Sequence, residues 1–346
     1  MYQLKRHLPE LFELEHLISR AGSDVRFRVL TEIPHQGQAL PIHAIELGSR
    51  APDAPSLGLI GGIHGVERIG TQVLLAYLHS LIMRLRWDES MAEQLKHIHL
   101  FIIPIANPGG MYLNQRANPN GVDLMRNAPI DATSHVPKLL GGHRLSRHLP
   151  WYRGKKQCPM QPELQALHDY MIQHLNKRPF TITLDMHSGF GFNDRLWFPY
   201  AGSVSPIRDL NVMYRINRLF AKTFPNHTLY KVEPQAHSYT THGDIWDLLY
   251  DHNLQQQPQS TFMPLTLEMG SWLWVKKNPR QLLRYHRLFH PELPHRQSRI
   301  LRRHYSLIDF LMMAARGHNN WMKTKPEQIA KDTRAALKLW YDGAAK

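Results

Sequence analysis

The sequence predicts an α/β fold with three layers, in which helices cover both faces of a mixed, mostly parallel central sheet. Short apolar runs that end in glycines or polar clusters alternate with segments of helical periodicity. The chain has 346 residues, of which 42% are hydrophobic, and this is enough for one substantial core. No internal repeat, low-complexity tract or linker divides it.

The elements before residue 90 set this pattern. Apolar residues recur at helical spacing in "PELFELEHLISR", and Gly22 after them predicts the end of an N-terminal helix. Alternating residues in "VRFRVLTEI" and "LPIHAIELG" predict a hairpin or meander at a sheet edge. The apolar run "SLGLIGG" predicts a buried strand, which a helix from Glu67 to Arg86 follows.

The later elements repeat the pattern and then change it. Strands are predicted in "HIHLFIIPIANPGG", "FTITLDMHSG" and "FMPLTLEMG", with a helix near residues 162–176. Residues after about 279 are predicted to be wholly helical. We therefore divide the chain into a main α/β domain, 1–278, which includes the N-terminal helix and hairpin, and a helical C-terminal extension, 279–346, packed on the same domain.

The chain is strongly basic. It has 42 Lys and Arg against 28 Asp and Glu, a formal charge of +14, which favours acidic partners. Nine basic residues and one acid, Glu292, lie between Lys276 and Arg303. This basic segment is either a solvated helical face or a patch for an anionic substrate or nucleic acid.

The single cysteine and the hydropathy bear on location. Cys158 excludes an intramolecular disulfide and agrees with a reducing compartment. The opening "MYQLKRHLPELFELEH" is charged, and no apolar run approaches the roughly 18 residues of a membrane helix. We expect a cytoplasmic protein with no membrane span.

Polar residues follow four of the predicted strands, in "LGLIGGIHGVE", "LFIIPIANPGG", "TITLDMHSG" and "PLTLEMG". Ligands of such sheets gather at the carboxyl ends of the strands. If the four strands are neighbours, one edge of the sheet brings together His64, Glu67, Asn107, His187 and Glu268.

Three of these residues fit a catalytic zinc site, which takes three protein ligands from His, Glu or Asp and keeps one position for water. His64 and Glu67 are close enough in sequence for a local chelate, and His187 would close the site through the fold. The glycines around His64 permit a sharp turn. Asp185 and Ser188 flank His187, and either could orient its imidazole. The sequence thus predicts one bound ion, Zn2+.

A family resemblance adds to this interpretation. "GGIHGVE", "NPGGMYLNQRANPNGVDLMRN", "DMHSG" and "TLEMG" occur in the order and at roughly the separations of the M14-type zinc carboxypeptidases, which include bacterial enzymes that trim cell-wall peptides. The chain resembles this family from about residue 57 to 272. The resemblance implies the zinc carboxypeptidase (phosphorylase/hydrolase-like) fold, with His64, Glu67 and His187 as ligands and Glu268 as the general base.

The resemblance also implies the substrate-binding residues. Arg116 is similar to the arginine that stabilises the oxyanion, and Arg126, with Asn127 beside it, to the arginine that pairs with the substrate's terminal carboxylate. Tyr239 in "SYTTHGDIWD" resembles the mobile tyrosine that folds over substrate. From the residues alone, Arg116 and Arg126 could instead be structural partners of Asp123.

Two further histidines and one substitution complete the predicted site. His237 and His242, near Tyr239, either line a substrate groove or lie at the surface. The chain reads "DLMRN" where the family usually has "DLNRN", so Met125 stands in place of a donor for the carboxylate. A strict preference for a free α-carboxylate therefore does not follow. The substrate could be γ-linked, contain a D-amino acid, or lack a carboxylate there.

The leading hypothesis is a zinc-dependent peptidase or amidase, in the form of a carboxypeptidase, with a peptide or small acyl-amino-acid substrate that is anionic. One alternative is an N-acyl amino acid deacylase of the succinylglutamate desuccinylase and aspartoacylase type, which shares the fold and the H-x-x-E start. Another is a basic nucleic-acid- or surface-binding protein on an inactive hydrolase scaffold. That hypothesis requires a missing catalytic residue, and the core residues His64, Glu67, His187 and Glu268 are all present.

Overall fold

The computed structural model describes residues 2–283 and 288–342 and contains one mixed sheet in that part of the chain. Its eight strands are β1 (Val25–His35), β2 (Gln38–Gly48), β3 (Ser56–Gly61), β4 (His99–Ile103), β5 (Phe180–Ser188), β6 (Asp194–Phe198), β7 (Tyr230–Pro234) and β8 (Thr261–Met269). Their order is β1-β2-β4-β3-β5-β8-β6-β7. Four of the seven neighbouring pairs are parallel, so the predicted sheet type is confirmed.

Helices cover both faces of this sheet. In the described residues they are α1 (Tyr2–His7), α2 (Pro9–Arg20), α3 (Arg68–Arg84), α4 (Glu89–Leu95), α5 (Pro108–Tyr112), α6 (Pro162–Leu175), α7 (Leu210–Thr223), α8 (Ile245–Gln256), α9 (Trp272–Lys277), α10 (Pro294–Arg303), α11 (Tyr305–Arg316), α12 (His318–Met322) and α13 (Pro326–Trp340). Helices α3 and α11 contact β3 and β5, whereas α6 and α8 contact each other and the strands β1 and β8. The three-layer prediction is confirmed.

The central strands are hidden on both faces. Every residue of β3 and of β5 is buried, which explains why both segments read as apolar runs without alternation. Gly58 in β3 lies under the Phe101 ring, because a Cβ there would be 2.1 Å from Cζ of Phe101. Gly58 is opposite Phe101 in the parallel pair of β3 with β4, and on the other side of β3 Gly61 is opposite Met186 of β5.

The N-terminal part agrees with the predicted elements except at one helix end. β1 and β2 form an antiparallel hairpin through Gln36 and Gly37, both with positive φ, as a two-residue turn of this kind requires. Helix α2 ends at Arg20 and the chain is already extended at Ala21. The expectation that Gly22 caps this helix is therefore wrong.

The C-terminal helices belong to the same core. Leu307, Ile308 and Leu311 of α11 are fully buried, and α13 packs against α7. The predicted helices are found, but residues 289–293 are irregular, so the stretch after 279 is not wholly helical. The domain boundary at residue 278 stays a prediction. In the part of the chain that the structure describes, no helix is both long and apolar enough to span a bilayer.

Candidate metal centre and catalytic cavity

The three predicted ligands meet at the carboxyl ends of β3 and β5. Nδ1 of His64 lies 2.8 Å from Oε1 of Glu67, and Nδ1 of His187 lies 3.0 Å from Oε2 of the same carboxylate. The two Nδ1 atoms are 3.1 Å apart. All three side chains are buried, and their ligand atoms lie within 4.8 Å of one another. The prediction that His64, Glu67 and His187 lie close together is confirmed.

Glycines shape the turn that carries His64 and Glu67. Gly62 has φ +68°, and a Cβ on Gly65 would lie 2.1 Å from the backbone of Gly110 in α5. Only glycine permits this approach. Asn107 ties the same two segments, because it donates to the Ile63 carbonyl and accepts from the Gly110 N–H. Asn107 therefore lies at the same edge of the sheet as His64, where its amide caps α5 and is not among the residues that line the cavity.

Each histidine is oriented by an aspartate. Nε2 of His64 lies 3.1 Å from Asp123, and Nε2 of His187 lies 2.8 Å from Asp185. Because a carboxylate only accepts, each Nε2 carries the proton and each Nδ1 lone pair faces the centre. Asp185 also accepts from the indole of Trp246. Of the two residues expected to orient His187, Asp185 is the one that does so.

This donor set fits a catalytic zinc ion, with two imidazole nitrogens and one carboxylate. Burial lowers the pKa of His187, but Asp185 and Glu67 outweigh that effect and raise it well above its ordinary value. Burial raises the pKa of Glu67, and the two histidines outweigh it in the opposite direction. The cluster therefore stabilises positive charge at its centre, which is what a divalent cation supplies.

Asp123 is the hub of a second set of ion pairs. Its Oδ2 accepts from Nε of Arg116 at 2.9 Å and from Nη1 of Arg126 at 3.0 Å. Arg116 also donates to Glu67 at 2.9 Å. Burial raises the pKa of Asp123, but Arg116, Arg126 and His64 outweigh it and hold that pKa well below its ordinary range. Both arginines are thus partners of Asp123, and both also line the cavity next to the ligands.

The cavity has a volume of about 440 Å³ and brings Glu268 to the metal centre. Glu268 lies in β8 opposite His187 of β5, and its Oε1 accepts from the Phe190 N–H at 3.0 Å. Burial, followed by the charge of Glu67, raises the pKa of Glu268 to about 8. A carboxyl group with such a pKa can hold and release a proton near neutral pH.

The remaining predicted residues are divided between the cavity and the loops. Tyr239 lines the cavity against the rings of Phe190 and Trp197. Burial raises the pKa of Tyr239, so its hydroxyl group stays protonated at neutral pH. Met125 also lines the cavity. Asn127 is used elsewhere, since it donates to the Arg153 carbonyl and accepts from the Gln161 N–H. Its role in substrate binding stays a prediction, which this position does not support.

The two histidines near Tyr239 are outside the residues that line the cavity. Nδ1 of His242 accepts from the Ala132 N–H at 3.0 Å. The ring of His237 packs against Tyr341 with 5.0 Å between centroids. Both are partly exposed, so the surface interpretation is the better one.

One cavity residue that the sequence analysis missed is Asp244. Its Oδ1 accepts from the N–H groups of Trp246 and Asp247 at the start of α8, and its side chain lines the cavity. Burial raises the pKa of Asp244 to about 6. The segment "HGDIWDLL" contains the signal of a helix N-cap, but nothing in it indicates that the helix begins at the site.

A second missed residue, Phe289, comes from the irregular segment before α10. Its carbonyl accepts from the Ser188 hydroxyl at 2.7 Å, and its ring lies over Gly189. Gly189 has φ +133°, and a Cβ there would be 2.6 Å from the Phe289 ring. Phe289 lines the cavity together with Phe190 and Trp272. A residue 102 positions after His187 thus closes one wall of the site.

Curated proteins and solved structures resemble this chain. Carboxypeptidase E of Caenorhabditis elegans is 26% identical over 178 residues, covering 46% of this chain and 36% of that protein. The carboxypeptidase N catalytic chain of Rattus norvegicus is 28% identical over 215 residues, covering 57% and 44%. The chain thus spans less than half the length of these relatives.

Three solved structures show the fold. Thrombin-activatable fibrinolysis inhibitor has a TM-score of 0.64 at 17% identity, covering 90% of this chain and 73% of its own. Carboxypeptidase A from Helicoverpa armigera gives 0.58 at 18%, covering 94% and 71%. The Pseudomonas aeruginosa metallo-carboxypeptidase in complex with (2-guanidinoethylmercapto)succinic acid gives 0.53 at 17%, covering 88% and 67%.

The family itself is shown by a sequence model. The model of the M14 peptidases, described as zinc carboxypeptidase, matches residues 30–273, which is more than half of the chain. This match includes the three ligands and Glu268 but not Phe289. The chain therefore belongs to the M14 zinc carboxypeptidase family.

Proposed function

We propose that this protein is a zinc-dependent carboxypeptidase that hydrolyses the C-terminal amide bond of a peptide. The observation that carries the proposal is the meeting of His64, Glu67 and His187 with Glu268 and Arg116 in one cavity. Zinc held by the three ligands would polarise the scissile carbonyl and lower the pKa of water from about 15.7 to about 7.

The protein's own groups would handle the proton and the developing charge. Glu268, as a carboxylate, takes a proton from the attacking water and passes it to the leaving nitrogen. Arg116 is held at Nε by Asp123 and at Nη1 by Glu67, so its remaining nitrogen is available to the oxyanion. One such donor contributes about 3 kcal/mol to transition-state stabilisation.

Arg126 is the residue that would bind the substrate carboxylate. Its Nε donates to the Leu140 carbonyl and its Nη1 to Asp123, which fixes the plane of the guanidinium at the cavity wall. Guanidinium groups pair with carboxylates through parallel hydrogen bonds. Met125 beside it has no hydrogen-bond donor, so binding of the carboxylate depends on Arg126. We therefore assign the negative charge expected of the substrate to its free C-terminal carboxylate.

Asp244 supports a narrower proposal, that the C-terminal residue is cationic. Its Oδ1 is occupied by N–H groups of α8, which leaves the second oxygen for the cavity. With a pKa of about 6 it is ionised at pH 7.5. The compound bound by the Pseudomonas aeruginosa enzyme likewise unites carboxylate and guanidino groups. A lysine or arginine at the C-terminus offers the same combination.

The alternatives are not favoured. The deacylase alternative lacks support because the matching family is that of the carboxypeptidases. The binding-protein alternative relied on the basic segment 276–303. Within it Arg303 pairs with Asp194 at 3.0 Å and Arg296 donates to the Trp274 carbonyl, while Arg284 and Arg287 lie outside the described residues. Part of that charge therefore serves the fold.

A substrate panel tests the proposal on the zinc-loaded protein. We expect release of the last residue from peptides that end in Lys or Arg with a free carboxylate, and none from the same peptides as C-terminal amides. Peptides that end in Leu or Glu should be poorer substrates. A γ-D-glutamyl-diaminopimelate peptide and N-acyl amino acids complete the panel. Hydrolysis of the N-acyl amino acids alone, or cleavage inside a blocked peptide, would contradict the proposal.

We also propose a cytoplasmic location, which rests on the single, exposed Cys158. A free exposed thiol persists best where glutathione keeps it reduced. Cell fractionation tests this proposal, and recovery of the protein from the culture medium would contradict it.

A further inference from the structure

A second concave site lies far from the metal centre. It is a cavity of about 330 Å³ whose charged lining is Arg26, Arg28, Arg50, Arg178 and Glu46, and which His99 and His174 also line. We call it the arginine pocket. Ser56 of β3 pairs with His99 of β4 at the amino ends of the parallel strands, whereas the ligands lie at the carboxyl ends. From Thr181 to His187 along β5 the separation is about 20 Å, at about 3.3 Å per residue.

The cations of the arginine pocket are anchored without being neutralised. Nη1 of Arg178 donates to the Ala54 carbonyl at 2.7 Å, and Arg26 reaches the Gly48 carbonyl at 3.4 Å. The guanidinium of Arg28 lies 4.6 Å from the ring centre of Tyr170. Backbone carbonyls and a ring orient these groups but cancel no charge.

The pocket's one acid is shared. Glu46 lies 3.9 Å from Arg26, and its other oxygen accepts from the Tyr170 hydroxyl at 3.1 Å. Four guanidinium groups therefore face a single carboxylate in this lining. The excess of three positive charges in one concave site makes a strong positive potential.

One buried donor of the lining has no hydrogen-bond partner among the described residues. It is Nε of Arg178, a residue that is 9% exposed. His99 donates from Nδ1 to the Ser49 carbonyl at 2.9 Å, so Nε2 of its neutral ring is an acceptor and adds no donor to the pocket. A buried donor without a partner costs about 1–3 kcal/mol, and native proteins rarely leave one.

The histidines add to the same potential. Burial, followed by the charge of Arg178, lowers the pKa of His99 to about 4. The same two causes lower the pKa of His174, which also lines the pocket. Both imidazoles are neutral at pH 7, so the positive charge belongs to the arginines. Any further cation is disfavoured here and an anion is favoured.

We propose that the arginine pocket binds a small multivalent oxyanion of the phosphate class. Planar guanidinium groups pair with phosphate oxygens through parallel hydrogen bonds, and such an anion offers acceptors in every direction. The volume suits a phosphate, a pyrophosphate or the phosphate end of a small metabolite. Nothing in this proposal depends on peptide hydrolysis.

Calorimetric titration of the full-length, zinc-loaded protein tests the proposal, with orthophosphate, pyrophosphate and ATP at constant ionic strength. The test variant is Arg28→Ala/Arg50→Ala, because both side chains are exposed and the fold does not depend on them. We expect pyrophosphate to bind this variant at least tenfold more weakly than wild type. The matched control is Arg218→Ala/Arg334→Ala, which removes the same charge. Arg218 is likewise an exposed arginine over a tyrosine ring, 5.6 Å from Tyr214.

The outcomes separate the sources of the anion. Binding of orthophosphate as tight as that of ATP supports free phosphate as the ligand, and tighter binding of pyrophosphate or ATP supports a polyphosphate. The proposal is overturned if none of the three gives heat beyond that of sodium chloride. It is equally overturned if the Arg28/Arg50 variant binds like the control pair, because the anion then sits elsewhere, as it would beside Arg116 and Arg126.

Discussion

The catalytic cavity and the arginine pocket lie at opposite ends of the same sheet and use the same residue types, but the arginines are neutralised in the first and keep most of their charge in the second. Beside the cavity, the single carboxylate of Asp123 forms ion pairs with His64, Arg116 and Arg126. In the pocket, four arginines line the same cavity as one carboxylate, Glu46, and two of them, Arg26 and Arg178, donate to backbone carbonyls. A carboxylate partner fixes an arginine side chain and also neutralises its charge. A backbone carbonyl fixes the side chain but leaves its positive electrostatic potential available to a ligand.

The largest effect should come from Glu268, a cavity carboxylate that, like Asp244, has no arginine or histidine partner within salt-bridge distance among the described residues. Glu268→Gln keeps the shape and removes the base, so kcat should fall by about 10²–10⁴-fold. Zinc content, measured by elemental analysis, should stay at one ion per chain. Normal activity of this variant would exclude Glu268 as the base. Glu93→Gln, at a half-exposed surface pair, is the control.

Removing the hub of the paired region should cost stability as well as activity. Asp123→Asn leaves the buried Arg126 without its carboxylate partner and leaves Arg116 with Glu67 alone, and breaking a buried ion pair costs about 3–5 kcal/mol. Urea denaturation should show this loss in the free energy of unfolding. Asp131→Asn is the matched control, because Asp131 also pairs with an arginine, Arg153, at 2.7 Å but is 76% exposed. It should cost less than about 1 kcal/mol. Equal losses would contradict the role of Asp123 as a hub.

The pH dependence tests the charge balance of the cavity. Glu268 must be ionised to accept a proton, and burial with Glu67 raises its pKa to about 8. A bound cation opposes that rise, so kcat/KM should have an acid limb at or below pH 8, falling about tenfold per pH unit below the pKa. Activity should therefore rise with pH along this limb and level off above the pKa of Glu268. A profile that stays flat from pH 5 to 8 at constant zinc content would contradict the assignment.

The smallest effect concerns the wall that the family match does not include. Phe289→Ala removes a ring from the cavity lining, and aromatic contacts of this kind contribute about 0.5–1.5 kcal/mol. We expect KM to rise about 2- to 10-fold with kcat nearly unchanged, as for lost uniform binding. Phe192→Ala is the local control, because Phe192 packs on Trp272 with 5.6 Å between centroids but is 51% exposed and outside the lining. Equal effects in both variants would show that Phe289 acts only through packing.

The metal site was predictable because its signals are local. The short spacing of His64 and Glu67 and the apolar strands before them can be read from sequence, and parallel pairing of β3 and β5 then brings His187 to the same edge. Asp185 was identified for the same reason, since it lies two residues from His187 on the same face of the strand. The mixed sheet followed from the buried runs.

The remaining features depend on contacts between distant residues. The five-residue strands β6 and β7 are too short for alternation to stand out. Phe289 reaches Gly189 across 100 positions, and "DMHSG" shows only a turn glycine. Arg26 and Arg28 alternate along β1 as a solvated face would. The sequence directed attention to the basic run 276–303, whereas the positive charge of the pocket comes from three separate parts of the chain, residues 26–28, 50 and 178.

The position of Phe289 has a consequence for biosynthesis. Translation completes the metal ligands at His187 and the base at Glu268 while the wall over Gly189 is still to be made. A nascent chain released at about residue 280 would have the metal ligands but would lack α11, which contacts β3 and β5 and whose Leu307, Ile308 and Leu311 are buried in the core. The strands that carry the ligands are therefore covered only after the last fifth of the polypeptide has been made, so we expect the metal site and the wall over Gly189 to be completed together, late in folding.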